Sequence, residues 1–207
     1  MSGIIAQNTL DGSGLIKSPE GGGVWTFIKK LTASGDADLS FIDGTDDVVL
    51  DSTYKEYIFY FNNIHPSDDD IHLKMNVSID AGSNYNVAKT TTLFLTNHSE
   101  ADAFTSLTYA TSMDLAEGTG VQYLTENTGN DNDQSCSGYL HLFDPGSTTF
   151  VKHFTAVVNN CRGSNQAAET YYTAGYANTT SAVDAIQFTF SAGTIDLGDI
   201  ILHGLTI

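Results

Sequence analysis

The sequence predicts an all-β fold: a two-sheet antiparallel jelly-roll sandwich that follows an extended N-terminal arm. About a dozen short segments alternate apolar and polar residues with the period of two that a half-buried strand requires. Clusters of Gly, Pro, Asn, Asp and Ser separate these segments at intervals typical of hairpins. Helical periodicity is nearly absent, since only residues 110–117 could form a helical turn or two.

Residues 1–23 differ from the rest of the chain and predict an arm followed by a hinge. Apolar residues stand singly or in pairs among turn formers, and the segment ends in three consecutive glycines. Such a stretch has too few apolar residues to build a core of its own. We expect it to lie on a neighbouring copy or on a partner, although a loose terminal tail is the alternative. The apolar side chains available for that contact are Ile4, Ile5, Leu10, Leu15 and Ile16.

Residues 24–207 form the predicted sandwich domain. Residues 24–30 open the period-two pattern, and residues 37–41 continue it. Residues 54–64 carry aromatic side chains on both faces, which predicts a strand that is covered on both sides or lies at an interface. The clearest strand is 71–79, where apolar and polar residues alternate throughout. Further strands are predicted at residues 90–95, 104–109, 121–126, 137–143, 150–158, 170–177, 184–190 and 199–205.

Among all-β folds, a jelly roll fits the number of strands and the chain length best. Immunoglobulin-like sandwiches are shorter, and here Trp25 precedes both cysteines instead of lying between them. No repeat of fixed period is present, which argues against a propeller or a β-helix.

The chain is strongly acidic, with 25 Asp and Glu against 8 Lys and Arg, and a net charge of -17. We expect no nucleic-acid partner, because neutralising phosphates requires clustered Lys and Arg. An anionic membrane surface is excluded for the same reason, and no apolar run approaches the roughly 20 residues of a membrane helix. Residues 1–8 do not have the pattern of a signal peptide, so we expect synthesis in a host cytoplasm. Copies of the chain repel one another, so any oligomer needs apolar or backbone contacts.

No constellation of residues predicts catalysis, and we expect neither enzyme activity nor a cofactor. Glycoside hydrolysis needs two carboxylates facing each other across a groove, and no glutamate belongs to an acidic pair at strand spacing. Asp131 and Asp133 are candidate Ca²⁺ ligands, but the EF-hand pattern is missing and a solvated turn is the preferred interpretation. Cys136 and Cys161 could pair if they lie on adjacent strands, whereas a reducing cytoplasm favours free thiols.

Six segments of the predicted sandwich domain carry a resemblance to a known group of proteins. They are STYKEYIF at 52–59, NNIHP at 62–66, DAGSNYNV at 80–87, GNDNDQSCSG at 129–138, NTTSAVDAIQF at 178–188 and SAGTIDLGDI at 191–200. In these segments the chain resembles a group of virion proteins of tailed bacteriophages, especially marine ones. The resemblance covers residues 24–207 and implies a phage structural protein similar in architecture to concanavalin-like or carbohydrate-binding jelly rolls. It implies no catalytic residues and does not distinguish the head of the particle from the tail.

Two functions agree with these expectations. In the first, the protein is a capsid decoration protein at the virion surface. It is expected to form a homotrimer whose arms bind the major capsid protein and stabilise the head. In the second, it is a tail-fibre or head-fibre module that recognises host surface glycans. Tyr171, Tyr172 and Tyr176 are the candidates for stacking on sugar rings, although packing within a sheet is the commoner role of such tyrosines.

Overall fold

The computed structural model describes residues 23–206, and all of its regular secondary structure is β-strand. The strands in chain order are β1 (Val24–Thr32), β2 (Leu39–Ile42), β3 (Glu56–Pro66), β4 (Leu73–Ser78), β5 (Lys89–Ser99), β6 (Thr105–Tyr109), β7 (Gln122–Tyr123), β8 (Cys136–Phe143), β9 (Lys152–Cys161), β10 (Ala167–Ala177), β11 (Ala185–Phe190) and β12 (Ile195–Thr206). Each predicted strand is present, with ends that differ by a few residues. The arm residues Ile4, Ile5, Leu10, Leu15 and Ile16 lie outside the described residues.

The strands form two antiparallel sheets, so the predicted sandwich is confirmed. The large sheet has eight strands in the order β1-β12-β3-β8-β9-β10-β5-β6, and the small sheet has four in the order β2-β11-β4-β7. Sequence-distant strands are neighbours in both sheets, as the long connections of a jelly-roll-like sandwich require. Within residues 23–206 there is no helix long and apolar enough to cross a membrane.

The main core lies between the two sheets and is centred on aromatic rings. Phe41 and Phe188 come from the small sheet, and Phe59 and Phe61 come from β3 of the large sheet. Phe41 meets Phe59 at a centroid distance of 5.2 Å, and Phe61 meets Phe188 at 5.1 Å, both edge to face. Full burial stabilises the fold by about 1.5–3 kcal/mol for each such side chain, so these rings hold the two sheets together.

Strand β4 departs from the predicted alternation at its second half. Leu73, Met75 and Val77 point into the core as predicted, but Asn76 and Ser78 on the opposite side are also buried. The loop that follows β4 folds back over them: the Asn76 amide donates to the Tyr85 carbonyl, and the Ser78 hydroxyl accepts from the Gly82 N–H. The polar positions of this strand are therefore satisfied inside the protein instead of by solvent.

The predicted helical turn at residues 110–117 is wrong. The segment contains a turn at residues 111–113 and then runs beside β5, where Thr91 N–H donates to the Leu115 carbonyl and Leu115 N–H donates to the Thr91 hydroxyl. Met113 is buried in a second, small core with Leu93 and Tyr171. Bonds to a neighbouring strand replace the local bonds that a helix would need.

The two cysteines lie on adjacent strands but are free thiols. Cys136 of β8 pairs with Asn160 of β9, one residue before Cys161. Cross-strand partners share a face of a sheet and neighbours in a strand do not, so the two thiols point to opposite faces. The offset of one residue explains why the strands bring the two cysteines close without joining them.

Candidate binding face on the large sheet

The large sheet has one face against the small sheet and one face turned away from it, which we call the outer face. The alternation in β3 shows both: Tyr57, Phe59 and Phe61 are in the core, while Ile58 and Tyr60 are on the outer face. Because residues paired across antiparallel strands lie on the same face, the register of the sheet identifies the other residues of this surface.

The register aligns a row of apolar and aromatic side chains across seven neighbouring strands of the outer face. Tyr60, Tyr139 and Tyr172 are each 37% exposed, and Phe94 and Tyr109 are more exposed. We call this set the aromatic row. Its members, from β12 to β6, are Ile201, Tyr60, Tyr139, Val157, Tyr172, Phe94 and Tyr109.

A stacked pair of rings lies within the aromatic row. Phe94 and Tyr172 have ring centroids 4.7 Å apart and an interplanar angle of 9°. Beside them, the Tyr109 hydroxyl donates to Asp114 at 2.6 Å, which fixes that ring at the edge of the sheet. Flat rings whose faces and edges remain exposed are typical contact groups for a protein partner or a sugar ring.

A shallow groove lies next to the stacked pair, between β9, β10 and β5. Its volume is about 330 Å³, and Tyr172 and Tyr176 of β10 stand on either side of the small Ala174. The His153 and Tyr176 rings contact each other with centroids 5.8 Å apart. The outer-face side chains that line the groove are Thr90, Thr92, His153, Thr155, Ala174 and Tyr176. The groove therefore offers hydroxyl and imidazole groups beside aromatic rings.

A second aromatic cluster covers the β1 end of the outer face. Trp25 meets His141 and Phe27 meets His203, both edge to face with centroids 5.8 Å apart. Ile58, which belongs to the same face, is only 3% exposed. The aromatic surface thus extends from the first strand of the sheet to the last.

The outer face carries little free charge although the chain is strongly acidic. Among the paired residues of the large sheet, Glu56 and Asp199 are the carboxylates on this side. Glu56 bonds to the His141 imidazole, and Asp199 accepts from Lys30 and Thr32. The hydrogen bond from Thr32 lowers the pKa of Asp199, so this carboxylate remains ionised and paired. The other acidic residues that the structure describes do not occupy paired outer-face positions of these strands, so the strands contribute little unpaired charge to this face.

The structure divides the three predicted stacking tyrosines between the two faces of β10. Tyr172 and Tyr176 lie on the outer face, whereas Tyr171 is 1% exposed and points to the opposite side. The Tyr171 hydroxyl donates to Glu169 at 2.6 Å, and burial raises the pKa of both groups. The prediction is wrong for Tyr171, because successive residues of a strand cannot share a face.

Glu169 belongs to a closed polar cluster rather than to an open site. Its carboxylate, 2% exposed, also accepts from Arg162 at 3.4 Å. The Glu126 backbone carbonyl accepts from the Tyr171 hydroxyl and from the Asn160 amide. These contacts join β9 and β10 to the loop between β7 and β8, which gives the cluster a structural role.

Asp131 and Asp133 lie in the loop before β8, where the backbone makes most of the contacts. The Asp131 carbonyl is 3.3 Å from the His65 imidazole, and the Asp131 N–H donates to Gln134. The described part of the chain contains no group of three or more His, Cys, Asp and Glu side chains placed to hold a metal ion. The two carboxylates therefore have no further acidic ligands beside them, so a solvated turn stays the preferred interpretation of this loop and Ca²⁺ binding the alternative.

Sequence reasoning missed Phe94, Tyr109, Trp25 and Phe27 as members of the candidate site. Phe94 stands among threonines, and its alternation with Leu93 and Leu95 could have placed it on the face opposite the core. The pairing order of the strands, which the sequence does not reveal, is what unites these residues in one surface.

Comparison of the chain with protein-family models, with curated protein sequences and with solved structures found no match.

Proposed function

We propose that the protein is a non-catalytic structural protein of a phage virion, a decoration protein that binds the major capsid protein and stabilises the head. The observation that carries the proposal is the outer face: a wide aromatic surface, nearly free of unpaired charge, on a chain with a net charge of -17. Large exposed apolar patches are uncommon on monomeric proteins and mark interaction sites. Because the charges of such a face are few and already paired, removing water from it costs less free energy when a partner covers it permanently.

The position of β1 supports a combined role of arm and outer face. The described chain enters the large sheet at the edge strand β1, where Trp25 and Phe27 already belong to the outer face. A preceding segment of 22 residues can reach at most about 80 Å when fully extended. Arm and outer face can therefore contact adjacent subunits of a shell, and homotrimers at the capsid surface are part of this proposal.

Particle reconstitution tests the proposal. Purified heads without the protein are incubated with the wild type, with a chain lacking residues 2–23, and with a Phe94→Ala/Tyr172→Ala double variant. We expect both changes to lower the occupancy of the heads and their resistance to heat. Phe150→Ala is the control, because it removes a ring outside the strands that is even more exposed, at 69% against 42% for Phe94. Full occupancy with both altered chains would show that neither surface attaches the protein.

Glycan recognition is the second candidate function, and the groove beside the stacked pair favours it. Aromatic faces and a small number of polar groups in a concave site are the usual means of holding a neutral sugar. Here Tyr176 lines the groove, Tyr172 stands beside it on the other side of Ala174, and the threonines supply hydroxyls. The absence of free charge among the described residues lining the groove indicates neutral sugars rather than acidic ones.

A glycan array with and without Ca²⁺ tests this second function. We expect binding of neutral glycans by the wild type and loss of binding in Tyr172→Ala and Tyr176→Ala. The buried Tyr171 is left unchanged, because its substitution would alter stability. No binding at millimolar ligand, or equal binding by both variants, would exclude the groove as a glycan site.

A further inference from the structure

Strand β6 is an exposed edge of the large sheet. All five of its residues are exposed, and Leu107 has 71% of its surface accessible. The strand reads Thr-Ser-Leu-Thr-Tyr, so it carries no charge and consists largely of residues that favour strands. Within residues 23–206 it pairs on one side only, with β5.

The hydrogen bonds at both ends of β6 show which backbone groups face outward. Ser99 N–H donates to the Phe104 carbonyl, and Ala110 N–H donates to the Leu93 carbonyl. In an antiparallel pair, every second residue is bonded to the neighbouring strand. Ser106 and Thr108 therefore face β5, and the N–H and C=O groups of Thr105, Leu107 and Tyr109 point away from the sheet.

The opposite edge of the same sheet is protected and β6 is not. Strand β1 contains a bulge between Phe27 and Lys29, and Lys29 is followed by a second lysine. Bulges and lysines are the usual devices that prevent an edge strand from pairing with another chain. Strand β6 pairs with β5 in unbroken register and has neither device.

We propose that β6 pairs with β6 of a second copy of this chain, antiparallel and about a two-fold axis at Leu107. In that register Leu107 lies opposite its own symmetry mate, and Thr105 lies opposite Tyr109. The strand is thus self-complementary, as an isologous two-fold interface requires. A second copy also fits the charge, since two chains of net charge -17 can approach only where both are neutral.

The carboxylates that flank β6 in the sequence are already engaged. Asp102 bonds to the His98 imidazole at 3.1 Å, and Asp114 accepts from the Tyr109 hydroxyl. The two-fold axis is perpendicular to the sheet, so both outer faces lie on the same side of the dimer. The resulting sixteen-stranded sheet doubles the proposed contact face; this consequence rests on the proposed function, whereas the pairing itself does not.

The pairing is expected to be weak in dilute solution. Two five-residue strands bury less than the roughly 800 Å² per partner of a standard stable interface. The dimer fraction should therefore rise with protein concentration. Copies held on a common surface have a high effective concentration, and the same contact would then be populated.

Sedimentation velocity over a concentration series, without heads or glycans, tests the pairing. Leu107→Pro removes an N–H that β5 does not use, and Leu107→Lys adds a charge at the two-fold axis. We expect wild type to shift from monomer to dimer and both variants to remain monomeric. Leu197→Lys, the same change at a leucine that is 58% exposed, should behave as wild type.

Circular dichroism of each variant separates a loss of pairing from a loss of fold, and Leu107→Lys decides the result if Leu107→Pro unfolds. A wild type that remains monomeric throughout, or a Leu107→Lys chain that associates as wild type does, overturns the inference. A trimer that persists in Leu107→Lys also overturns it and assigns association to another surface. Because heads are absent from this experiment, its failure and that of the decoration role are distinguishable.

Discussion

At the scale of single residues, the most unusual group is a lysine buried without a carboxylate. Lys89 is fully buried, and its ammonium donates to the Asn76 side-chain oxygen at 2.5 Å and to the Val87 carbonyl at 2.8 Å. Burial lowers the pKa of Lys89 from 10.5 to about 8. Neutral oxygens bind the ammonium but do not replace all of its hydration, so the charged form destabilises the folded state.

The stability of the protein should consequently depend on the titration of Lys89. Below pH 8 the lysine is protonated in both states and the burial cost is complete. Between about pH 8 and pH 10.5 the unfolded chain binds more protons than the folded one, so the free energy of unfolding rises with pH, by up to about 1.4 kcal/mol per pH unit. In urea unfolding, the free energy of unfolding of the wild type should rise over this pH range relative to that of Lys89→Met.

An exposed lysine provides the control for that experiment. Lys55 lies at the surface and pairs with Asp144 at 2.9 Å. The rise between about pH 8 and pH 10.5 should remain in Lys55→Met, because Lys89 and its surroundings are unchanged in that variant. If the rise also remains in Lys89→Met, it does not come from the titration of Lys89.

The two thiols should differ in reactivity because their surroundings differ. Burial raises the pKa of Cys136 to about 12, whereas Cys161 is partly exposed, with its pKa raised by burial and by Glu100 and Asp133. We expect a thiol reagent to modify Cys161 slowly in the native protein and Cys136 only after unfolding, since the thiolate is the reactive form. Mass spectrometry of labelled peptides measures this order; rapid native labelling of Cys136 would contradict its burial.

At the scale of strands, period-two alternation was sufficient to find the elements but not their surroundings. It located β11, where Ile186 and Phe188 enter the core, and it missed the burial of Asn76 because a loop distant from the pattern covers that position. The run of aromatic residues at 171–176 predicts Tyr171 and Tyr172 as one group, although adjacent residues of a strand face opposite ways. Local pattern encodes the strand, whereas long-range pairing decides what lies against each face.

Strand β12 contains a glycine that its irregular pairing requires. Gly198 lies within the register shift between Leu197 and Asp199, opposite β3, with a φ of 115°. A Cβ there would lie 2.5 Å from the Asn63 carbonyl oxygen and 2.8 Å from the Ile64 Cα. Both the backbone conformation and the close approach of β3 therefore exclude a side chain.

Gly198→Ala should destabilise the protein more than Gly35→Ala. Gly35 also has a positive φ, of 77°, but a Cβ there meets nothing within 4 Å. Gly35→Ala should lower the free energy of unfolding by about 1–2 kcal/mol, the usual penalty of a left-handed conformation. Gly198→Ala adds a backbone clash, and we expect a loss of about 3 kcal/mol or more in urea unfolding. Equal losses would show that β3 can move away at no cost.

At the scale of the whole molecule, period-two patterning predicted the sandwich and composition predicted the repulsion between copies, but neither showed where the charge lies. The carboxylates of the outer face are paired, and the aromatic row crosses seven strands that are far apart in the chain. Neither feature has a local sequence signal, because both depend on the order of strands in the sheet. The acidic residues of the remaining surface still repel one another.

Salt should therefore stabilise this protein at neutral pH. The chain has only 8 Lys and Arg, and the ion pairs Lys55–Asp144 and Lys30–Asp199 are partly exposed, so screening removes more repulsion than attraction. The Debye length falls from about 30 Å at 0.01 M to about 8 Å at 0.15 M salt. We expect a gain of about 1 kcal/mol, or about 2–4 °C in the unfolding midpoint measured by calorimetry.

The same measurement at a pH near the isoelectric point is the control for the salt effect. Near the isoelectric point of about 4.3 the net charge vanishes, and with it the net repulsion that salt screens. The same addition of sodium chloride should then leave the midpoint unchanged, and potassium chloride should give the same results at both pH values. A midpoint that falls with salt at pH 7 would mean that attractive pairs dominate the surface, against the excess of acidic residues in the sequence.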